Sequence, residues 1–218
     1  MFLRSFIIVL GLFFVSNSAM SDRPIRYVAL GDSYTIGIGA SIDEAWPVVI
    51  TRRLQKKGVA IELTANLAKG GWTTQDLIEY QLPALKELHP DLVTLLIGTN
   101  DLGHGVSVDV FKDHFHFILD KIFEIVHKRE NIVVITLPDV TVTPNGKKLS
   151  IGRDIAKDLE AFNQVIKKEA QARGIRVVDL DLLSQTIESD STLVSVDGFH
   201  PSAKGYLLWA DLIEPAFL

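Results

Sequence analysis

Residues 25–37 read IRYVALGDSYTIG, a mostly apolar run that stops at Gly31 and is followed at once by Asp32 and Ser33. An apolar run of this length that ends at a glycine predicts a strand buried on both faces of a parallel sheet. Gly31 allows the backbone to turn sharply after the strand. In open α/β sheets, ligands bind beyond the carboxyl ends of the strands. We therefore interpret Ser33 as a candidate nucleophile, with an ordinary serine in a strand-to-helix loop as the alternative.

Strands alternate with helices along the rest of the chain. Apolar runs predict further strands at residues 59–68, 91–98, 131–138 and 175–180. Amphipathic or capped segments predict helices at residues 43–58, from Thr73 onward, at residues 107–128, and from Ile155 to about Gly174. This alternation predicts an α/β fold with three layers, α/β/α, in which helices cover both faces of a parallel sheet of about five strands.

Two segments are expected to depart from this regular pattern. Pro83 is expected to break or kink the helix that follows Thr73, because proline has no backbone N–H. Residues 140–151 alternate apolar and polar side chains around the sequence Pro144-Asn145-Gly146, which is a turn signature. This segment is predicted to be a short hairpin or a loop over the site.

The bulk composition is that of one globular domain. The chain has 218 residues, of which 47% are hydrophobic, and this is enough for one sizeable core. A net charge of −5 without a cluster of lysine and arginine argues against nucleic acid as a partner. The chain has no cysteine, which excludes disulfides, a thiol nucleophile and a cysteine-bound metal. His114 and His116 lie two residues apart on a predicted helix and therefore point to different faces, so no metal site is predicted.

The N-terminus differs in kind from the rest of the chain. Arg4 is followed by a mostly apolar run at residues 5–15 and by small residues at 16–19. This order predicts a secretory signal peptide at residues 1–19, followed by a single domain at residues 20–218. The apolar run is shorter than the roughly 20 residues that a transmembrane helix needs, so no stable membrane span is expected after cleavage. The mature protein is expected to be exported to a periplasm or to the extracellular space.

Three later segments carry further motifs: NLAKGGWTT at residues 66–74, GTND at residues 98–101 and DGFHP at residues 197–201. Together with GDS at residues 31–33, they resemble the four sequence blocks of the SGNH hydrolases, the GDSL-type esterases and lipases, in order and in separation. The resemblance extends from Ile25 to the C-terminus. It implies a three-layer α/β/α hydrolase that uses a serine nucleophile and neither a metal nor a cofactor.

Ester hydrolysis requires a nucleophile, a base, a group that orients the base, and donors for the developing oxyanion. His200 is the candidate base and Asp197 the candidate acid. Their Asp-x-x-His spacing across a turn can bring the carboxylate to one imidazole nitrogen and leave the other facing the nucleophile. Asp179 and Asp181 follow the last strand and are alternative acids. The resemblance favours Asp197. A helix-capping histidine and a turn-forming aspartate are the structural alternatives for this pair, and Pro201 is predicted to open the following helix.

The resemblance also implies the donors of an oxyanion hole. These are the backbone N–H of Ser33, the backbone N–H of Gly71 and the side-chain amide of Asn100. Gly70 is the alternative glycine if the register of the second motif slips by one residue. A polar loop cap is the alternative role for Asn100. The first three strands are expected to present the donors side by side at one edge of the sheet.

Two further residues are candidates for substrate binding. Trp72 directly follows Gly71 and is expected to border the cleft, where the indole could contact an acyl chain or stack on a sugar ring. Packing beneath the next helix is the alternative. Asp32 is the second candidate.

Two other segments favour one type within the SGNH hydrolases, the family that the chain resembles. Residues 45–47 (AWP) and 82–85 (LPAL) resemble the exported multifunctional thioesterase and lysophospholipase type. Thr99 departs from that type, which tends to show a second glycine at this place.

The expected function is therefore that of a serine esterase or lipase, an acylhydrolase that cleaves carboxylic esters of short to medium acyl groups through an acyl-enzyme intermediate. The expected partner is a small-molecule or lipid ester. A polysaccharide O-deacetylase and an acyl thioesterase are alternatives on the same site, and a non-catalytic binding protein with this fold is a remote alternative.

Overall fold

Five parallel strands form the central sheet of the protein, in a computed structural model that describes residues 23–149 and 153–217. The strand order across the sheet is β2-β1-β3-β4-β5. The strands are β1 Ile25–Gly31, β2 Ile61–Asn66, β3 Leu92–Leu96, β4 Ile132–Ile135 and β5 Arg176–Val178. The predicted fold class and the five strands are confirmed, with strand ends shorter than the apolar runs suggested. The predicted signal peptide at residues 1–19 lies outside the described residues.

The inner strands are buried because helices cover both faces of the sheet. Every residue of β3 and β4 is buried, and β1 is buried from Tyr27 onward. β1 pairs with β2 on one side and with β3 on the other. The register with β3 sets Tyr27 opposite Leu92 and Gly31 opposite Leu96. The carboxyl end of β1 therefore lies between the carboxyl ends of two neighbouring strands.

The helices occupy the connections between the strands. In the described residues the α-helices are α1 Ser33–Ile36, α2 Trp46–Lys56, α3 Thr74–Asp76, α4 Leu82–Leu88, α5 Thr99–His104, α6 Val108–Val126, α7 Gly146–Leu149, α8 Ile155–Ala172, α9 Ser184–Ser189 and α10 Ala203–Ile213. Single 3₁₀ turns lie at Ile42–Glu44, Arg129–Asn131, Val140–Val142, Leu180–Leu183, Ser191–Leu193 and Glu214–Phe217. None of the helices in this part of the chain is both long enough and apolar enough to cross a membrane.

Two helix pairs define the outer layers. On one side α6 packs against α8, where the rings of Phe111 and Phe162 stack with centroids 4.1 Å apart. Full burial of a side chain of this size contributes about 1.5–3 kcal/mol to stability. On the other side α2 packs against α10, and an ion pair between Arg53 and Asp211 at 2.6 Å joins them at the surface. The core thus has the three layers expected from the sequence.

The helix after Thr73 begins as the sequence predicts but continues past Pro83. Thr73 forms a capping box with Asp76, in which each side chain accepts from the other residue's backbone N–H. Of the break or kink expected at Pro83, the break is wrong. A π-helical turn at Leu77–Gln81 precedes the proline, which occupies the second position of α4. The wider turn changes the backbone pairing before the residue that lacks an N–H.

Of the two alternatives for residues 140–151, a hairpin or a loop over the site, the hairpin is wrong over residues 140–149, which the structure describes. Val140–Val142 forms a 3₁₀ turn and Gly146–Leu149 forms α7, with Asn145 between them. Thr143 is buried, and its hydroxyl donates to the Val140 carbonyl at 2.8 Å and accepts from the Gly146 N–H at 3.1 Å. These local bonds favour tight turns over an extended strand pair.

Candidate active site

Ser33 lies directly after β1, where Gly31 and Asp32 turn the chain into α1. A Cβ atom on Gly31 would lie only 2.3 Å from Thr35 Oγ1, so this turn requires glycine. Asp32 is the N-cap of α1, and its Oδ1 accepts a hydrogen bond from the Tyr34 N–H at 3.0 Å. The turn fixes Ser33 at the carboxyl edge of the sheet.

Ser33, His200 and Asp197 form a continuous line of hydrogen bonds. Ser33 Oγ lies 2.9 Å from His200 Nε2, and His200 Nδ1 lies 2.6 Å from Asp197 Oδ2. With a proton on Nδ1 donated to the carboxylate, Nε2 is free to accept the proton of the serine hydroxyl. The structure thus brings together three predicted residues of which one lies more than 160 positions from the others.

The other oxygen of Asp197 is saturated with donors from its own loop. Asp197 Oδ1 accepts from Ser195 Oγ at 2.7 Å, from the Phe199 N–H at 2.8 Å and from the His200 N–H at 2.9 Å. Partial burial acts to raise the pKa of Asp197, but the hydrogen bonds from Ser195, His200 and the backbone outweigh it and hold this pKa well below its ordinary value. Asp197 is therefore a carboxylate throughout the neutral range.

The turn that carries His200 is closed by main-chain bonds. The Ser195 N–H donates to the His200 carbonyl at 2.8 Å, and Val194 pairs with Pro201 in an antiparallel bridge. The Tyr34 ring packs against the imidazole with ring centroids 5.1 Å apart. The His200 imidazole is therefore held in place by the main-chain bonds of its turn and by the Tyr34 ring on one face.

The predicted helical position of Pro201 is wrong. α10 begins at Ala203, and Ser202 is its N-cap, with Oγ accepting from the Gly205 N–H at 3.2 Å. Pro201 instead belongs to the bridge. The hydrogen bonds that flank it run from the Ser195 N–H to the His200 carbonyl and from the Ser202 N–H to the Leu193 carbonyl, so Pro201 needs no N–H there. His200 is held by the bridge and not by a helix end.

The alternative acids have partners of their own elsewhere. Asp179 forms an ion pair with Lys167 at 2.6 Å and accepts from Thr136 Oγ1 at 3.1 Å. Asp181 accepts from Ser184 Oγ at 3.0 Å. The structure brings neither carboxylate to His200.

The glycine motif after β2 forms a tight turn next to Ser33. The Trp72 N–H donates to the Lys69 carbonyl at 3.3 Å, and Gly71 has the left-handed φ of 82° that such a turn requires at its third position. A Cβ on Gly70 would lie 3.9 Å from Ser33 Cβ. In the described part of the chain, the N–H groups of Gly70 and Gly71 donate to no protein acceptor. Both are therefore available to an external oxygen.

Asn100 reaches the same place from β3. It is the second residue of α5, and its Nδ2 donates to the Trp72 carbonyl at 2.8 Å. An amide nitrogen carries two protons, so one remains available as a donor. The turns that follow β2, β1 and β3 thus meet at one edge of the sheet, as the strand order requires.

Asp32 is fully buried beneath Ser33. Burial raises the pKa of Asp32 to about 7; the bond from the Tyr34 N–H acts against this rise, and the nearby charge of Asp101 adds to it. Direct contact with substrate, the role expected for Asp32, does not fit a carboxyl that is shielded from solvent. The structure gives it the role of capping α1.

The chain that carries this geometry matches a known protein family over most of its length. Residues 29–208 match the model of the GDSL-like lipase/acylhydrolase family. The chain belongs to the GDSL-like lipase/acylhydrolase family. The match includes Ser33, Gly71, Asn100, Asp197 and His200.

Two proteins that are similar in sequence to this acylhydrolase are named esterases. A multidomain esterase of Ruminococcus flavefaciens is 31% identical over 134 residues, which are 60% of the chain but 16% of that protein. An arylesterase of Vibrio mimicus is 25% identical over 190 residues, 86% of each chain. The solved structure of an acetyl xylan esterase, AlAXEase, is similar with a TM-score of 0.71 and 20% identity, over 89% of the chain and 100% of that structure. The protein is a carboxylic-ester hydrolase of the GDSL type.

Several residues that support the site were not singled out from the sequence. Gln81 holds Gly31 on both sides: its Oε1 accepts from the Gly31 N–H at 2.9 Å and its Nε2 donates to the Gly31 carbonyl at 2.7 Å. Asp101 accepts from the Thr74 N–H at 2.9 Å and from the Thr74 hydroxyl, which ties α5 to α3. Gln81 lies in an ordinary helical pattern and gave no signal, whereas Asp101 lies in the quoted motif GTND.

Trp72 directly follows the turn that holds Gly70 and Gly71, and its place at the substrate cleft stays a prediction. The indole is half-buried and packs on Tyr80, with ring centroids 5.3 Å apart, while Lys69 Nζ lies 5.2 Å from the indole centroid. Tyr80 is 55% exposed. This aromatic pair faces solvent and is not packed in the core beneath a helix.

Proposed function

We propose that this acylhydrolase cleaves carboxylic esters with Ser33 as the nucleophile, His200 as the general base and Asp197 as the group that orients His200. The observation that carries the proposal is the line from Ser33 Oγ through the imidazole to Asp197 Oδ2, at 2.9 and 2.6 Å. Both distances lie within the range needed for proton transfer and for orientation of the base.

The reaction proceeds in two halves. His200 Nε2 takes the proton of Ser33 Oγ as the oxygen attacks the ester carbonyl, and Asp197 stabilises the imidazolium that forms. The C–O bond to the alcohol breaks, and His200 gives its proton to the leaving oxygen. Water then attacks the acyl-enzyme with His200 again as base, and the acid leaves as the proton returns to Ser33.

The tetrahedral intermediates of both halves carry a negative oxygen. We assign the donors to this oxygen as the backbone N–H of Ser33, the backbone N–H of Gly71 and the Asn100 amide, with Gly70 as the alternative glycine. The unpaired N–H groups of the glycine turn and the proton left on Asn100 Nδ2 support this assignment. Donors fixed by the fold before reaction stabilise the developing charge without reorganisation.

An apolar side chain next to the nucleophile supports acyl esters of short to medium length as substrates. Ile38 is 41% exposed, and its Cδ1 lies 2.8 Å from the place of a Cβ on Gly70, which in turn is 3.9 Å from Ser33 Cβ. The Ile38 N–H donates to the Ser33 carbonyl at 3.0 Å and its carbonyl accepts from Tyr206 Oη at 2.8 Å. A fixed backbone thus holds an exposed apolar side chain where the acyl group of a bound ester would lie.

Polysaccharide O-deacetylation is the second candidate. It is favoured by the solvent-facing pair of Trp72 and Tyr80 beside the glycine turn, since aromatic faces of this kind can stack on sugar rings. The acetyl xylan esterase with the same fold is consistent with this candidate. An acyl thioesterase stays as an alternative on the same site.

Replacement of the nucleophile and of the base tests the proposed chemistry. Ser33→Ala and His200→Ala are each expected to abolish hydrolysis of an aryl acetate, and the double variant is expected to lose no more, because the groups act as one unit. Active-site titration with a phosphonate ester is expected to label one serine per wild-type chain and none in Ser33→Ala. Retention of more than about a hundredth of the activity in Ser33→Ala would contradict the assignment.

We also propose that residues 1–19 are a signal peptide and that the mature enzyme is exported. The charged, apolar and small-residue order of the N-terminus supports this. Expression of the full chain in a bacterial host, followed by N-terminal sequencing of the protein outside the cytoplasm, is expected to give a start at Ala19 or Met20. An intact N-terminus in the exported fraction would contradict cleavage.

A further inference from the structure

The loop at residues 195–200 carries both Asp197 and His200. Its shape is fixed by bonds within the loop, from the Ser195 N–H to the His200 carbonyl and from the Gly198 N–H to the Ser195 carbonyl. Asp197 Oδ1 collects three further donors from the same loop. These bonds define the distance between acid and base. They do not define the position of Asp197 and His200 relative to Ser33, which lies on α1.

Two residues supply the hydrogen bonds that reach this loop from outside, within the part of the chain that the structure describes: Ser33 and Asn145. The Asn145 N–H donates to the Gly198 carbonyl at 2.8 Å, and Asn145 Nδ2 donates to the Asp197 carbonyl at 2.5 Å. Gly198 has a left-handed φ of 67°, and a Cβ on it would lie 3.1 Å from Asn145 Nδ2. Asn145 thus contacts the main chain of Asp197 and Gly198 directly.

Asn145 is itself held in place. Lys148 Nζ donates to Asn145 Oδ1 at 2.7 Å, which fixes the direction of the amide so that its nitrogen faces Asp197. On the other side the buried Thr143 closes the turn: its hydroxyl accepts from the Gly146 N–H, and its carbonyl accepts from the Lys147 N–H at 3.0 Å. Because Asn145 is fixed on its own turn and bonded to the loop at residues 195–200, it can hold that loop in a defined position relative to the turn.

We propose that Asn145 is a positioning residue that sets the place of the Asp197–His200 pair relative to Ser33. It acts through the main-chain carbonyls of Asp197 and Gly198 and does not touch the substrate. This inference rests on the proposed function, since it assumes that Ser33 and His200 exchange a proton. Displacement of a catalytic group by about 1 Å can lower the rate about 100-fold, so one anchor of this loop has a measurable effect.

Two variants of Asn145 and a matched control test the proposal. Asn145→Ala removes the side-chain donor, and Asn145→Asp keeps the size but presents only acceptors to the Asp197 carbonyl. Lys147→Ala is the control, because this exposed lysine lies in the same segment and its amine contacts Glu188 at 3.7 Å and not the loop. kcat and KM for an aryl acetate, the rate of phosphonate labelling of Ser33, and the thermal midpoint are measured for each.

For both Asn145 variants we expect kcat and the labelling rate to fall about 10- to 100-fold while KM changes less than about twofold. Labelling needs His200 to take the serine proton but needs no substrate pocket, so a parallel fall indicates a displaced base. Lys147→Ala is expected to match the wild type in all measurements.

Three results would overturn the proposal: wild-type kcat in either Asn145 variant, an equal loss in Lys147→Ala, or a loss of kcat that merely follows unfolding at the assay temperature. Ser33→Ala is measured alongside. Failure of the proposed function shows as retained activity in Ser33→Ala. Failure of the Asn145 proposal shows as unimpaired Asn145 variants of an enzyme that Ser33→Ala inactivates.

Discussion

Replacement of Asp32 by asparagine is expected to stabilise the protein in a pH-dependent way. Asp32 is fully buried, and its Oδ2 has no hydrogen-bond partner among the described residues. Burial raises the pKa of this carboxyl to about 7 from an ordinary value of 3.8. Asparagine keeps an oxygen that can cap α1 through the Tyr34 N–H and carries no charge at any pH.

The magnitude follows from linkage between protonation and folding. Below pH 3.8 the carboxyl is protonated in both the folded and the unfolded chain and has no effect on the pH dependence. As the pH rises toward 7, the unfolded chain ionises first, so the free energy of unfolding falls. The rise of this pKa from 3.8 to about 7, at about 1.4 kcal/mol for each tenfold change in proton affinity, gives a cost of about 4 kcal/mol that is complete above about pH 8.

Urea unfolding of the wild type and of Asp32→Asn at pH 4, 6 and 8 measures this cost. We expect the stability of the variant relative to the wild type to rise by about 4 kcal/mol between pH 4 and pH 8. Carboxylates with lowered pKa values, such as Asp197 and Asp91, stabilise both proteins as the pH rises through the acid range. Their contributions are equal in the two proteins and cancel in the difference between their free energies of unfolding.

The exposed Asp43, whose substitution by asparagine also removes one negative charge, provides the control and is expected to show no such rise. A relative stability of Asp32→Asn that stays constant within about 1 kcal/mol from pH 4 to pH 8 would refute the reasoning, because a carboxyl with an ordinary pKa in the folded state gives that result.

Four further changes give separate outcomes. Asn100→Ala is expected to lower kcat by about 10²–10³ with KM near the wild-type value, since it removes one of the proposed oxyanion donors, and a loss below tenfold in steady-state assays would argue against that role. Ile38→Ala is expected to lower kcat/KM more for longer acyl esters than for acetyl esters, by up to about 0.8 kcal/mol per contacting methylene, whereas an equal loss at every chain length would remove Ile38 from the acyl site. Trp72→Ala is expected to follow the same acyl-length trend on the interpretation that the indole contacts the acyl chain; its largest loss on acetylated xylan would instead favour the deacetylase. Gly31→Ala is expected to cost at least about 1–3 kcal/mol in urea unfolding, because the added methyl group meets Thr35, and unchanged stability would show that the turn can relax.

Local pattern determined most of what the sequence predicted. The apolar run before Gly31, the equivalent runs before the later motifs and the helix cap at Thr73 each depend on residues within a short window, and the strands and the cap lie where that window placed them. The same windows gave the motifs that matched the family and the candidate residues around Ser33. Local signals were weaker where two rules competed. Pro83 predicted a break or a kink, yet the chain widens into a π-turn before it and continues as α4, whose Leu82 and Leu85 are buried in the core.

Only the tertiary structure decided which distant groups meet. The choice among Asp197, Asp179 and Asp181 depended on where the last loop folds relative to β5, and the structure gives Asp179 to Lys167 and Asp197 to His200. The contact of Asn145 with the loop of residues 195–200 joins residues more than 50 positions apart. Such bonds have no signature in a local window, because a hydrogen bond is directional and short, and whether two polar groups come within 3 Å is fixed only when the layers around the sheet have packed.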